Sequence, residues 1–191
     1  PVSAWNLRCD TPVTAVSRNF WKPDSGGKTT MYAIRLWATR NARPLEIVYR
    51  LTARAFHALD PLWVAIGGAR LERPFAAVEG WGKGIVFDCK MCGRCQLSIT
   101  GMTCVMNCPK TIRNGPCGGV RANGHCEVKP DMRCVWVEAW NGAQRMQHGM
   151  GIRTPQPPRD HAIEGTSAWL RLSVENMERR NASREVEEVA L

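Results

Sequence analysis

Eight of the nine cysteines in this 191-residue chain fall between residues 89 and 134. They are Cys89, Cys92, Cys95, Cys104, Cys108, Cys117, Cys126 and Cys134, spaced C-x2-C-x2-C-x8-C-x3-C-x8-C-x8-C-x7-C. A tight turn brings two thiolates that are two residues apart to one point, where they bind one metal. A third at the same interval gives three ligands from one loop and leaves the fourth to come from a distance. That triplet, with Cys108-Pro109 further on, follows the ligation grammar of bacterial ferredoxin-type iron–sulfur clusters, an analogy that places Cys108 with Cys89, Cys92 and Cys95. Zinc favours two separated C-x2-C pairs, which this chain lacks. Eight thiolates divide into two sets of four. The expected cofactors are therefore two [4Fe–4S] clusters. One [4Fe–4S] cluster with one Zn2+, or two Zn2+ ions, remain the alternatives. Glycines 93, 101, 115, 118, 119 and 124 thread the cluster and let N–H groups approach sulfur, which serves either metal.

Composition narrows the class further. The net charge of +9 comes from 26 basic and 17 acidic side chains. The basic residues are spread along the chain and gather on no single element, so an acidic partner is expected and a nucleic-acid partner is not. No run of about 18 apolar residues is present, so no membrane association is expected. PVSAWNLRCD has no charged segment followed by an apolar one, so it does not read as a signal peptide. Cytoplasmic localisation is the expectation, and in that reducing compartment a cysteine cluster binds metal in preference to forming disulfides.

Three regions separate along the chain. Residues 1–88 read as a helical and loop region for docking a partner. Residues 89–140 read as the cysteine-rich metal-binding module, and 141–191 as a proline-containing linker with a C-terminal arm. The fold class expected is α+β, small and loop-rich, with the cysteine module stapled by metal. MYAIRLWATR (31–40) predicts a short helix. PLEIVYRLTARAFHALD predicts a second, with Val48, Leu51, Ala55 and Leu59 as a stripe that packs on its own domain or on a partner, and Arg50, Arg54 and Glu46 mostly elsewhere on the wheel. Asp60-Pro61 should end that helix. Residues 67–88, with five glycines, read as loop.

Three segments carry a family resemblance: DCKMCGRCQL, CVMNCPKTIRNGPCGGV and GHCEVKPDMRCVWVEAW. Together they closely resemble the methylenetetrahydrofolate reductase C-terminal domain, found in or beside the MetV subunit of bacterial MetVF-type reductases. The resemblance covers roughly residues 45–140, and GTSAWL (165–170) looks like a short motif that some members carry. It implies a partner, a MetF-type methylenetetrahydrofolate reductase flavoprotein that holds the flavin. The chain itself, too short for an eightfold barrel of about 250 residues, would be a small iron–sulfur subunit. Its implied role is to relay electrons between that flavin and an external electron-donor or acceptor protein in folate-linked one-carbon metabolism. The alternative is a zinc-binding structural subunit that clamps the same complex without redox activity.

Other residues are weaker signals. SGGKTT (25–30) resembles the end of a phosphate-binding loop but has Lys22 where the first glycine belongs, so it reads as flexible loop. Cys9 stands apart as a bystander thiol, His57 reads as a surface or interface residue, and His125 as a lesser ligand candidate beside Cys126. Lys110, Arg113 and Arg121 are placed to offset the charge of a thiolate-ligated centre. Trp136 and Trp140 are expected to shield it from water. No acid–base pair or nucleophile arrangement is visible, so no catalytic residues are assigned and the chain reads as a non-catalytic accessory subunit.

Overall fold

The computed structural model describes residues 29–66 and 68–189. Cys9 and Ser25–Lys28 of the SGGKTT stretch lie outside them. The fold is helical, not α+β. Among the described residues the only β feature is an isolated antiparallel bridge between His125 and Arg133. The cysteine-rich stretch needs no sheet because its backbone groups are used in turns. Arg121 N–H donates to the His125 carbonyl, Cys126 N–H to Met132, and Cys134 N–H to Gly124.

Helix α1 (Thr29–Arg40) and helix α2 (Ala42–His57) are separated by Asn41, whose side-chain amide donates to the Trp37 carbonyl and closes α1. Leu36, Ala38 and Ala42 are buried. Ala38 and Ala42 share a core with Phe87, Leu97, Met102 and Met146. Thr39 is buried and its hydroxyl meets that of Thr103 at 2.9 Å, which ties α1 to the loop after the cysteine triplet.

Of the two packings open to the α2 stripe, against the chain's own domain or against a partner, the first is not made. Glu46 is 2% exposed, whereas Val48, Leu51 and Leu59 are 59%, 57% and 45% exposed, and Ala55 is exposed as well. The face turned inward runs through Ala42, Glu46, Tyr49 and Ala53. Glu46 lies inside because it satisfies donors that would otherwise be unpaired. Its carboxylate accepts from Gln147 N–H at 2.7 Å, from His148 N–H at 3.1 Å and from His148 Nδ1 at 3.1 Å. Arg50 Nη1 approaches His148 Nδ1 at 2.8 Å. Periodicity locates an apolar stripe, but it cannot tell a face that meets the chain's own core from one left for a partner.

Asp60-Pro61 does end α2, and Asp60 opens the next helix, α3 (Asp60–Ile66). Residues 68–87 correct the loop expectation. They form a 20-residue helix, α4 (Gly68–Phe87), despite Pro74 and three glycines after it. Each glycine weakens a helix by about 1 kcal/mol relative to alanine. Packing outweighs that cost, because α4 lies against α1, α3 and a terminal helix, α6 (Ala168–Val189). Phe56, Trp63 and Phe75 of α2, α3 and α4 stack or meet edge-to-face at 5.1–5.4 Å, and Trp169 of α6 joins Phe56 at 5.6 Å.

The expected extended arm is also corrected, since α6 docks. Leu170 is 1% exposed and Ser173 fully buried. Ser167 caps the helix, its hydroxyl accepting from Leu170 N–H at 3.2 Å. Helix α5 (Val135–Ala143) follows Cys134 and buries Val135, Trp136 and Ala139. The loop after the triplet crosses α5 at Gly101, whose φ is +63°. A Cβ there would lie 2.4 Å from the Ala139 carbonyl oxygen, and one on the facing Gly142 would lie 2.3 Å from that of Gly101. Only a glycine pair allows so close a crossing.

Glu46 gives a pH-dependent prediction. Burial works to raise its pKa, but the hydrogen bonds from Gln147 and His148 outweigh it and hold the carboxyl below its ordinary value. A depressed folded-state pKa contributes stability above the unfolded value, about 4.3, which is lost as pH falls through the lower folded value. Glu46→Gln is expected to cost roughly 1–3 kcal/mol at neutral pH, the worth of hydrogen bonds to a charged group. The difference from the native protein should shrink at acid pH, as pH falls below about 4.3 and through the lower folded value. Urea denaturation at neutral and at acid pH checks it, and an undiminished gap at low pH would contradict the assignment.

Candidate metal centre

Four of the eight cysteines line one cavity. Cys89, Cys92, Cys95 and Cys104 surround it together with Glu79, Lys83, Met91, Met106 and Arg113. The triplet loop is wound tightly, with positive φ at Asp88 (50°), Met91 (44°) and Gly93 (72°). That winding turns N–H groups toward sulfur. Met91 N–H lies 3.4 Å from Cys89 Sγ, and the N–H groups of Lys90 and Met106 are directed at Cys104. Asn107 holds the arm carrying Cys104 in place, its amide donating to the Phe87 and Asp88 carbonyls at 3.2 Å each. Gly93 lets the loop pass the 161–163 turn, where a Cβ would stand 2.4 Å from the Ile163 carbonyl oxygen.

The Cys89 and Cys104 thiols are coupled and shifted in opposite directions. Cys89 and Cys104 share a hydrogen bond, which with burial pushes the Cys89 thiol up, while the same bond holds the Cys104 thiol below its ordinary value. Tyr49 Oη donates toward Cys95 Sγ at 3.5 Å, and Arg113 Nη1 toward Cys92 Sγ at 3.5 Å. Arg113 is 6% exposed and also donates to the Pro157 and Arg94 carbonyls. The Lys83 ammonium lies buried beneath the cavity. Burial lowers its pKa, but Cys95, Glu79 and Cys89 outweigh that and raise it.

The other four cysteines are placed differently. Cys108, Cys126 and Cys134 are buried and Cys117 is exposed. Cys134 packs with Val105, Trp136 and Ala139. Cys117 Sγ lies 3.5 Å from Glu127 Oε1, a carboxylate that Lys110 also engages. His125 Nδ1 is 2.7 Å from the Pro130 carbonyl, which orients its ring. Trp136 is buried, with Nε1 donating to the Ile112 carbonyl, while Trp140 is 40% exposed with Arg153 over its face. Among the described residues no three cysteine, histidine or carboxylate groups converge as a ready metal-ligand set.

The donor set around the first cavity nevertheless fits a thiolate-ligated centre. Four thiols surround one space, two buried cations face them, and N–H and O–H donors point at sulfur, the outer-shell arrangement that thiolate metal sites use. Sequence reasoning identified Arg113 but missed Tyr49, Glu79, Lys83, Ser167 and Trp169. The signal for the buried pair was the four-residue interval between Glu79 and Lys83, hidden because the glycines argued for loop. His57 was also misjudged. It is partly buried, with Nδ1 3.1 Å from Asp60 Oδ1 and 3.2 Å from Ser173 Oγ.

Beneath the cavity Lys83 Nζ meets Glu79 Oε1 at 2.5 Å, with the two side chains 7% and 5% exposed. The second Glu79 oxygen accepts from Ser167 Oγ at 2.6 Å. Lys83 lies over the Trp169 ring, 4.6 Å from its centroid. Removing one member of such a pair strands a buried charge. Lys83→Met is expected to destabilise the protein by about 3–5 kcal/mol, and Lys83→Met with Glu79→Leu by clearly less than the two single changes summed. A double-mutant cycle in urea checks this, and simple additivity would contradict it.

Comparison with known proteins now adds one finding. Residues 69–162 match the family model described as methylene-tetrahydrofolate reductase C terminal. That span begins inside α4 and takes in all eight clustered cysteines. No curated protein and no solved structure matches the chain.

Proposed function

Residues 69–162 belong to the methylene-tetrahydrofolate reductase C-terminal family, and from that premise we propose that the chain is an iron–sulfur subunit of a folate-linked flavoprotein reductase. Its role is to relay electrons between the flavin of a MetF-type partner and an external donor or acceptor, in the cytoplasm. The observation that carries the reading is the single cavity lined by Cys89, Cys92, Cys95 and Cys104 with Lys83 and Arg113 against it. Among the described residues no helix is long and apolar enough to cross a membrane.

In this reading the four thiolates hold a [4Fe–4S] cluster, which supplies reversible one-electron transfer. The chain's own groups set the conditions for it. Lys83 and Arg113 offset thiolate charge that burial would otherwise make costly. Tyr49 and the backbone N–H groups donate to sulfur, which raises the potential of a centre held there. Met91, Met106 and Val105 form apolar parts of the wall.

The partner has a surface to meet. Val48 of α2 and Val78 and Trp81 of α4 border an apolar groove, with Val78 68% and Trp81 72% exposed. Ile47, Leu51 and Ile85 extend the exposed apolar face. A contiguous face of this kind on α2 and α4 marks a protein interface. Glu79 and Lys83 line both this groove and the thiol cavity, so a flavoprotein seated here is separated from the centre by one layer of side chains.

In this reading Cys108, Cys117, Cys126 and Cys134 would hold a second centre. For that centre a specific observation also supports Zn2+. Cys126 and Cys134 each follow one residue of the His125–Arg133 bridge, which would hold these two thiols on one turn for a structural Zn2+ ion. In that form it clamps the module and takes no part in the relay.

Metal analysis of anaerobically purified protein, with the visible spectrum recorded before and after dithionite, tests the reading. Iron at about four or eight atoms per chain, with broad absorbance that bleaches on reduction, is expected. Zinc alone with no visible absorbance would overturn the relay and leave a structural subunit.

A further inference from the structure

A second and larger cavity opens beside the thiol site. It is a cleft of about 550 Å3 between α2, the triplet loop, the 156–157 strand of chain and the start of α6. That volume falls in the range of small-molecule sites. Five arginines line it, Arg50, Arg54, Arg94, Arg113 and Arg171, against one carboxylate, Glu175. Glu175 is already engaged with Arg179, 3.5 Å away. The guanidinium groups of Arg54 and Arg94 have no ion-pair partner among the described residues, so the cleft carries uncompensated positive charge.

Its lining also holds buried polar atoms with no partner. Gln96 is 6% exposed, and neither its Oε1 nor its Nε2 makes a hydrogen bond. His57 Nε2 and Arg171 Nε are likewise buried and unbonded. Of the four residues with such atoms among the described residues, these three line the one cleft. Native proteins leave few buried polar groups unsatisfied, and each calls for an explanation. An amide that offers a donor and an acceptor side by side recognises the edge of a heterocycle bearing the complementary pair. The arginines match phosphate or carboxylate, which they bind in forked, paired hydrogen bonds.

We propose that this cleft binds a small anionic heterocyclic ligand, its polar ring edge on Gln96 and its phosphate or carboxylate on the arginines. The site lies next to Cys95, which also lines it, so the ligand binds within reach of the thiol centre. A concave site with buried unpaired atoms suits a small molecule better than a flat acidic protein surface. Arg94, Gln96 and Arg113 line the thiol cavity as well, and the inference holds with either iron or zinc at the thiol site.

Isothermal titration calorimetry on the full chain, purified anaerobically with its metal, tests this. Adenosine 5′-diphosphate serves as the phosphate-bearing heterocycle and folic acid as the carboxylate-bearing one. Saturable binding of either is expected, and the compound that binds identifies the anion. Gln96→Leu should weaken that binding at least tenfold. The same change should raise the melting temperature, because it removes an unpaired buried amide. Arg54→Ser, at an exposed position, should weaken binding several-fold without lowering the melting temperature. Absence of saturation by both compounds at millimolar concentration would overturn the proposal and leave the arginines to an acidic protein. So would binding that Gln96→Leu leaves unchanged.

Discussion

The buried pair between Lys83 and Glu79 is the contact on which the other parts of the structure converge. Lys83 reaches toward the thiols of Cys89 and Cys95 from below, and it lies over the rings of Tyr49 and Trp169. Glu79 neutralises it and accepts from Ser167, which caps α6. One ion pair thus joins α4, α2, α6 and the cysteine loop. Burying it without a further anion above would be a poor exchange, since desolvation of a charge pair offsets much of its attraction. The thiols of Cys89 and Cys95 face the pair from the cavity above it and act to raise the Lys83 pKa.

The same logic sorts the cations near sulfur by burial. Arg113 is buried and donates to Cys92, while Lys110 stays at the surface with Glu127 near the exposed Cys117. Buried donors act on sulfur with little screening, whereas an exposed pair contributes little in water. The two halves of the cysteine set therefore differ in surroundings as well as in spacing. The first is embedded in a charged and aromatic frame built by helices from outside the module. The second is held by turns of its own backbone and by α5.

Much of this was legible in the residues, but unevenly. The triplet announced a shared centre, and three closely spaced thiols do line one cavity. Spacing could not name the fourth member. Cys104 joins them because Asn107 anchors its arm to Phe87 and Asp88, a tertiary contact with no sequence signature. The glycines of α4 hid a helix, because local propensity is a weak guide where a long face packs against three other helices. The stripe on α2 reads from the sequence as packing on the chain's own domain or on a partner, and it lies at the surface. Glu46 lies inside because two N–H groups some hundred residues away need its carboxylate. The α+β expectation failed since the cysteine-rich loops close their backbone hydrogen bonds in turns and need no sheet.

The central claim is that Cys89, Cys92, Cys95 and Cys104 form one centre and Cys108 belongs to the other. Iron and zinc content of anaerobically prepared Cys104→Ser and Cys108→Ser proteins, with electron paramagnetic resonance of the reduced samples, tests it most directly. The account predicts that each substitution removes a different centre, so that the two variants retain complementary signals or metals. Loss of the same centre in both variants, or full metal content in Cys104→Ser, would contradict it.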